Sequence, residues 1–368
     1  MKDPTSNVQR RTSRREFVRR ALALGVGLGP LAGILAGCEG EKGEKGEGVP
    51  DELESELAIY NWSDYIGEST IADFEREVGV RVVYDTYESN EDLLAKLQAG
   101  ARGYDLICPS NYAVVVLRAL DLLAPLDRNL LSNWANLSPL FLDRPFDPGN
   151  RHTVPWLWGT AGLAVRADLV QPLPDSWGVF HQTGYRGKMT QLDDMRDVIG
   201  CWLKYRGRSL NSHDQGELDE AKMDAIRAKP NLKSFVSAPV KGQLLAGDVW
   251  IAHLWNGDTA QARAAEPAIR YVLPREGSMI YLDSMAIPRT APHPRAAHEF
   301  LNYMLRPGVA AALAERTGYG SPNQAALTRQ SDLLAPPSEE QLARLEYQED
   351  LGEATELWDR IWTEIKAG

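Results

Sequence analysis

Six segments between them supply aromatic and acidic side chains. They are Asn61-Trp62-Ser63-Asp64, Ser110-Asn111-Tyr112, Asp193-Asp194-Met195-Arg196-Asp197, Trp255-Asn256-Gly257-Asp258, Tyr281-Leu282-Asp283-Ser284 and Gly318-Tyr319-Gly320. Carboxylates beside flat apolar rings suit an elongated organic cation. Each ammonium taken from water needs a carboxylate or other acceptors, or its desolvation goes uncompensated. The methylenes between ammoniums want flat walls, and aromatic faces supply these while attracting the charged ends. A linear polyamine meets both requirements. Trp62, Tyr112, Trp255, Tyr281 and Tyr319 are candidate walls, and Asp194, Asp197, Asp258 and Asp283 candidate anchors. Residue type alone leaves a second reading open, with the rings as core and the Asp-Asp run as a solvated turn.

The elements around these segments read as α/β. Strand signals fall at 57–60, 80–84 and 104–109, then at 162–165, 249–254, 270–273 and 285–288. Between the early ones, Ser69 is placed to cap a helix that carries Ile71, Phe74 and Val78 on one face and stops at Gly79. Ser89 opens a second, with Asp92 three residues on, Leu93, Leu94 and Leu97 inward and Gly100 as its stop. A late helix spans 294–305, with Ala297, Phe300, Leu301 and Met304 on one side. Ligands of open α/β sheets bind beyond the carboxyl ends of strands, where most of the aromatic-acidic segments fall. No long linker interrupts the body, so two lobes would exchange the chain more than once.

The N-terminus is of another kind. Ser13-Arg14-Arg15-Glu16-Phe17 carries the paired arginines of a twin-arginine export signal, and the uncharged residues 21–37 follow. That run is short for a transmembrane helix, and a basic head with small residues before a cut reads as a leader. Leu35-Ala36-Gly37-Cys38 matches a bacterial lipoprotein signal in which Cys38 receives the lipid. Residues 39–48, all Gly, Glu or Lys with no apolar side chain to bury, read as part of a flexible tether over 38–55. The expectation is export to the periplasm or the outer face of the membrane.

Charge and cysteine content narrow the classes. The chain carries −11, and residues 1–37 contribute seven basic and two acidic side chains, so the remainder stands near −16. Such a protein is ill suited to nucleic acid and better suited to cationic ligands. Cys108 and Cys201 remain after Cys38, and their pairing is left open. The six histidines show no ligand spacing, so no metal is read, nor any cofactor. No nucleophile elbow, phosphate loop or His beside a nucleophile points to catalysis.

Ordered along the chain are Tyr60-Asn61-Trp62-Ser63-Asp64-Tyr65, Tyr87-Glu88-Ser89-Asn90-Glu91, Tyr104-Asp105-Leu106 with Pro109-Ser110, and Pro145-Phe146-Asp147-Pro148. After them come Trp255-Asn256-Gly257, Asp283-Ser284-Met285-Ala286-Ile287-Pro288 and Thr317-Gly318-Tyr319. From about residue 57 onward this set resembles the spermidine/putrescine-binding proteins of bacterial polyamine ABC importers. The resemblance implies a two-lobed periplasmic-binding-protein fold of type II, with a ligand cleft and two or more hinge crossovers. Lobe 1 would take 56–160 and 284–325, and lobe 2 would take 161–283 and 326–368. It implies a monomeric receptor that hands polyamine, spermidine first and putrescine next, to an ABC permease.

The resemblance also carries residues across. Trp62 and Ser63 match the first aromatic wall and its hydroxyl, and Ser110 and Tyr112 the next loop. Asp194 and Asp197 match the acidic pair for one amine end, with Asp197 in place of the commoner Glu. Trp255 matches a second wall, Asp283 the carboxylate of an inner amine, Tyr319 a late aromatic and Gln348 a polar residue near the far amine. Tyr281 stands where spermidine binders usually carry Trp, and Asp258 matches an acid of putrescine-preferring members. A receptor for another organic cation, such as a quaternary ammonium compound, and a polyamine sensor without transport are the competing readings.

Overall fold

Parallel strand-helix-strand passages build each side of the sheet. In the computed structural model, β1 (Glu56–Trp62) buries Leu57 and Ile59 and leads into the helix Glu68–Val78. The chain returns as β2 (Arg81–Tyr87), parallel to β1 over its whole length. The helix Asn90–Gln98 follows, and β3 (Leu106–Ile107) runs parallel to β1 on its other edge. The described residues are 49–63, 65–87, 89–237, 239–327 and 337–368. The expected leader, Cys38 and residues 39–48 of the expected tether lie outside them.

The middle of the sheet is antiparallel. β4 (Thr153–Arg166) is buried along all but its last residue. Next come β5 (Met189–Gln191), β6 (Leu232–Phe235), β7 (Ile251–Trp255), β8 (Ile269–Val272), β9 (Ser278–Ala286) and β10 (Leu345–Tyr347). The order is β2-β1-β3-β9-β4-β7-β5-β6, with β10 beside β9 and β8 beside β4. β5 runs parallel to both β6 and β7, so two parallel triplets flank an antiparallel centre. The first half of β4 pairs β9, and its second half pairs β7 and β8.

Apolar side chains gather separately on the two sides. Leu57, Ile59, Phe74, Phe300 and Leu301 pack together around β1 and the helix Pro294–Met304. Trp177, Trp202 and Trp358 belong to another core with the helices Met195–Tyr205, Gln215–Ala228 and Thr355–Ala367. Each triplet therefore has its own hydrophobic support, which at about 25 cal/mol per Å² of apolar burial is the main stabilising contribution.

Several sequence expectations need correction. The first helix is capped by Gly67, with no side-chain bond, rather than by Ser69; Gly79 does end it, at φ 78°. Ser89 caps the second helix and accepts the Asp92 N–H. The strand expected over 104–109 shrinks to Leu106–Ile107, confined between Gly103 at φ 98° and Pro109. The strand expected over 162–165 is the tail of β4, whose earlier half carries Pro155 at a register shift, a place where a strand tolerates proline. The strand at 285–288 belongs mostly upstream, in β9. Cys108 and Cys201 are both buried and free.

Candidate functional site

Strand direction brings the aromatic-acidic segments together. β1 and β3 are parallel, so Trp62, Ser63 and Ser110 leave the sheet on one edge. β5, β6 and β7 are parallel too, and beyond their carboxyl ends lie Asp194, Ser237 and Asp258. β9 supplies Tyr281 and Asp283 from its own length. All these residues, with Tyr112, Asp197, Trp255, Tyr319 and Gln348, line one cavity of about 470 Å³. The volume fits a small organic ligand.

Asp283 is the best-defined carboxylate in it. It is buried, its Oδ1 accepts the Ser110 hydroxyl at 2.6 Å, and its Oδ2 accepts the Tyr65 hydroxyl at 2.7 Å. Ser110 is itself fixed by Asn90, whose amide donates to Ser110 Oγ at 3.0 Å and whose Oδ1 accepts the Ser110 N–H at 3.1 Å. Burial pushes Asp283 up to about 6, although both hydroxyls favour its charged form. Among the described residues, the carboxylate is thus held by two hydroxyls and by no cation. An ammonium delivered there would offset that desolvation.

Asp194 and Asp197 form a second station at the start of the helix Met195–Tyr205. Asp194 is its N-cap and accepts the Asp197 N–H at 2.9 Å. Burial raises both carboxyls; for Asp197 the neighbouring Asp194 charge adds to the rise, while the Trp255 indole N–H opposes it. His253 Nε2 lies 3.9 Å from Asp197 Oδ1, but burial pushes His253 down to about 3, so it stays neutral and supplies no countercharge. Arg196 turns away, donating to the Glu349 carbonyl and to Asn211 Oδ1, each at 2.9 Å. Asp197 Oδ1 has no hydrogen-bond partner among the described residues.

The aromatic residues form walls around these acids. Trp62 is fixed by its indole N–H on the Cys108 carbonyl at 2.9 Å and packs on Tyr87 with ring centroids 4.7 Å apart. Tyr319 meets Tyr65 and Tyr281 edge-on at 5.1 and 6.2 Å. Two glycines make room for them. A Cβ at Gly159 would lie 2.4 Å from the Tyr281 hydroxyl, and one at Gly257 would lie 2.3 Å from the Tyr319 ring. Tyr112 donates to Glu91 at 3.0 Å, and Gln348, buried, reaches the Met279 sulfur at 3.1 Å. Asp258 differs from the other acids, because it is already bonded to Lys241 and Tyr319.

Sequence reasoning missed Tyr65, Asn90, Lys241, Gln261 and Met279, which share the lining. Tyr65 stands three residues after Trp62 and was within reach as one more aromatic. Lys241 left no signal: it is the second residue of a six-residue helix, Val240–Leu245, on a different element from the acid it meets, Asp258.

A family model described as bacterial extracellular solute-binding protein matches residues 69–337. The chain is 35% identical over 319 residues to the spermidine/putrescine-binding periplasmic protein of Escherichia coli, covering 85% of this chain and 92% of that one. It is 35% identical to the putrescine/cadaverine-binding protein of Pseudomonas aeruginosa, covering 84% and 93%. Among solved structures, the spermidine/putrescine ABC transporter substrate-binding protein of Streptococcus pneumoniae superposes with a TM-score of 0.75. Identity there is 32%, over 85% of this chain and 99% of that one. The resemblance read from the ordered motifs is borne out.

Proposed function

The chain belongs to the bacterial extracellular solute-binding proteins, with the type II periplasmic-binding-protein fold, and on that premise we propose that it is a polyamine receptor. Spermidine is its first ligand and putrescine the next. The observation that carries this reading is the set of buried carboxylates at Asp194, Asp197 and Asp283, each raised by burial, between aromatic walls. One ammonium belongs at Asp283, held with Ser110 and Tyr65. Another belongs at Asp194 and Asp197, and the methylenes between run along Trp62, Trp255 and Tyr281.

The ligand would favour a closed arrangement of the two lobes, over 56–160 with 284–325 and 161–283 with 326–368, because the rings and hydroxyls of Trp62, Ser63, Ser110 and Tyr112 from the first and the acids Asp194, Asp197 and Asp283 from the second line one cavity. That closed form is what the receptor presents to an ABC permease. The twin-arginine leader and a lipid on Cys38 would keep the folded body, a monomer, above the membrane on its tether. A quaternary ammonium cage relies on rings more than on acids, so three buried acids favour primary and secondary amines.

Calorimetric titration with spermidine and then putrescine tests the reading. Saturable one-to-one binding of either amine supports it. Absence of heat with both, from folded protein at moderate salt, would remove the polyamine assignment and leave the family.

A further inference from the structure

Asp258 holds an ammonium that belongs to the protein. Its Oδ1 lies 2.8 Å from Lys241 Nζ, and its Oδ2 accepts the Tyr319 hydroxyl at 3.0 Å. The same Nζ donates to Gln261 Oε1 at 2.9 Å. Asp258 and Gln261 stand three residues apart on the helix Asn256–Ala265, so they share one face and grip the ammonium together. Both partners of the ion pair are largely shielded, at 23% and 16% side-chain exposure, and all four residues line the cavity.

The Lys241 side chain is chemically the end of a polyamine: four methylenes and a primary ammonium. It occupies the carboxylate that a ligand nitrogen would otherwise take. A ligand reaching Asp258 must dislodge that ammonium or bring its own positive charge close to it. Like charges brought that close in a partly shielded cavity repel strongly. Among the described residues, no lysine is bonded in the same way to Asp194, Asp197 or Asp283.

We propose that Lys241 is a specificity-determining residue, whose ammonium fills the Asp258 station and confines the ligand's charged nitrogens to the Asp283 and Asp194–Asp197 stations. The inference rests on the polyamine reading and deepens it, because it sets how many charged nitrogens the cavity accepts. Specificity of this kind comes from an element that repels the wrong ligand as much as from contacts with the right one.

Lys241→Met keeps the apolar stem and releases Asp258. Titration of the full-length protein with putrescine, spermidine and spermine, a diamine, triamine and tetraamine, reads the consequence. Loss of one positive charge raises affinity for every cation somewhat, so the ratio between amines is the readout. K241M should raise the spermine-to-putrescine affinity ratio by about tenfold, whereas K241R, which keeps the charge, should hold the wild-type ratio. K241Q carries the same expectation as K241M and reads the outcome should the methionine variant not fold. A ratio within about threefold of wild type in K241M or K241Q overturns the inference while leaving the polyamine reading intact. If the wild type binds none of the three amines, the polyamine reading fails and takes this inference with it.

Discussion

Replacing Asp283 by Asn should separate binding from stability in a pH-dependent way. Burial moves this carboxyl from an ordinary 3.8 to about 6, with Ser110 and Tyr65 only partly offsetting the effect. A raised acid is a liability to the unliganded fold. The cost is absent below pH 4, grows as the pH climbs to 6 and is complete above that. About two pKa steps correspond to roughly 3 kcal/mol. Asn has the shape of the neutral acid: its Oδ1 keeps accepting from one hydroxyl, and the other hydroxyl can turn to accept from its amide N–H. Unliganded D283N should therefore be more stable than wild type by up to about 3 kcal/mol at pH 7.5, or about 4 °C in Tm for a chain of this length. At pH 4.5 the difference should fall to about 1 kcal/mol. Spermidine binding moves the other way. Leaving an ammonium opposite a neutral group costs about 2–5 kcal/mol, from roughly thirtyfold to several thousandfold in Kd. Thermal melts at both pH values, with and without spermidine, measure all of this. A D283N variant less stable than wild type by the same amount at both pH values would refute the reasoning, because the carboxylate would then be stabilising the empty fold.

Three further outcomes follow from the same geometry. Spermidine affinity of the wild type should decline as pH drops through about 6, where Asp283 takes up its proton, and the raised Asp194 and Asp197 act in the same sense; calorimetry showing equal affinity at pH 8 and 5 would count against it. Gly257→Ala places a methyl 2.3 Å from the Tyr319 ring, so the ring must leave Asp258, and putrescine and spermidine binding should each weaken by about tenfold or more, on the 1–3 kcal/mol scale of overpacking; unchanged titrations would show that Tyr319 is dispensable. Cys108 and Cys201, free and buried, should resist a thiol reagent until the protein is denatured, and reductant should leave Tm unchanged; rapid labelling of either in the native protein would contradict their burial.

The chemistry of the site was more legible than its scaffold. Trp62 and Asp283 announce themselves because an aromatic and an acid stand close together after apolar runs, Asp194 by its run of acids and Tyr319 by the ordered Thr317-Gly318-Tyr319. Only the tail of β4 did so, over 162–165, because Pro155 and Gly159 break the appearance of a strand before it; the first sits at a register shift, and the second gives way to Tyr281. β3 was overread, since 104–109 is apolar enough for a strand but pairs only through Leu106 and Ile107. β5, β6 and β10 span three or four residues each, too few for a period to show. The bond between Lys241 and Asp258 lies beyond any local pattern. It exists only because two helices after different strands turn toward one point.

β9 places Tyr281 and Asp283 within a fully buried strand hydrogen-bonded to β3, β4 and β10. The other stations hang on strand-end loops and helix starts. The arrangement divides the evolutionary labour. A nitrogen bound at Asp283, as proposed, would be tied to the scaffold and hard to relocate, whereas Asp194, Asp197, Asp258 and Lys241 stand on strand-end loops and helices outside that strand. Descendants of such a receptor can change ligand length at the periphery while keeping one amine-binding point constant, and a designer of polyamine sensors can do the same.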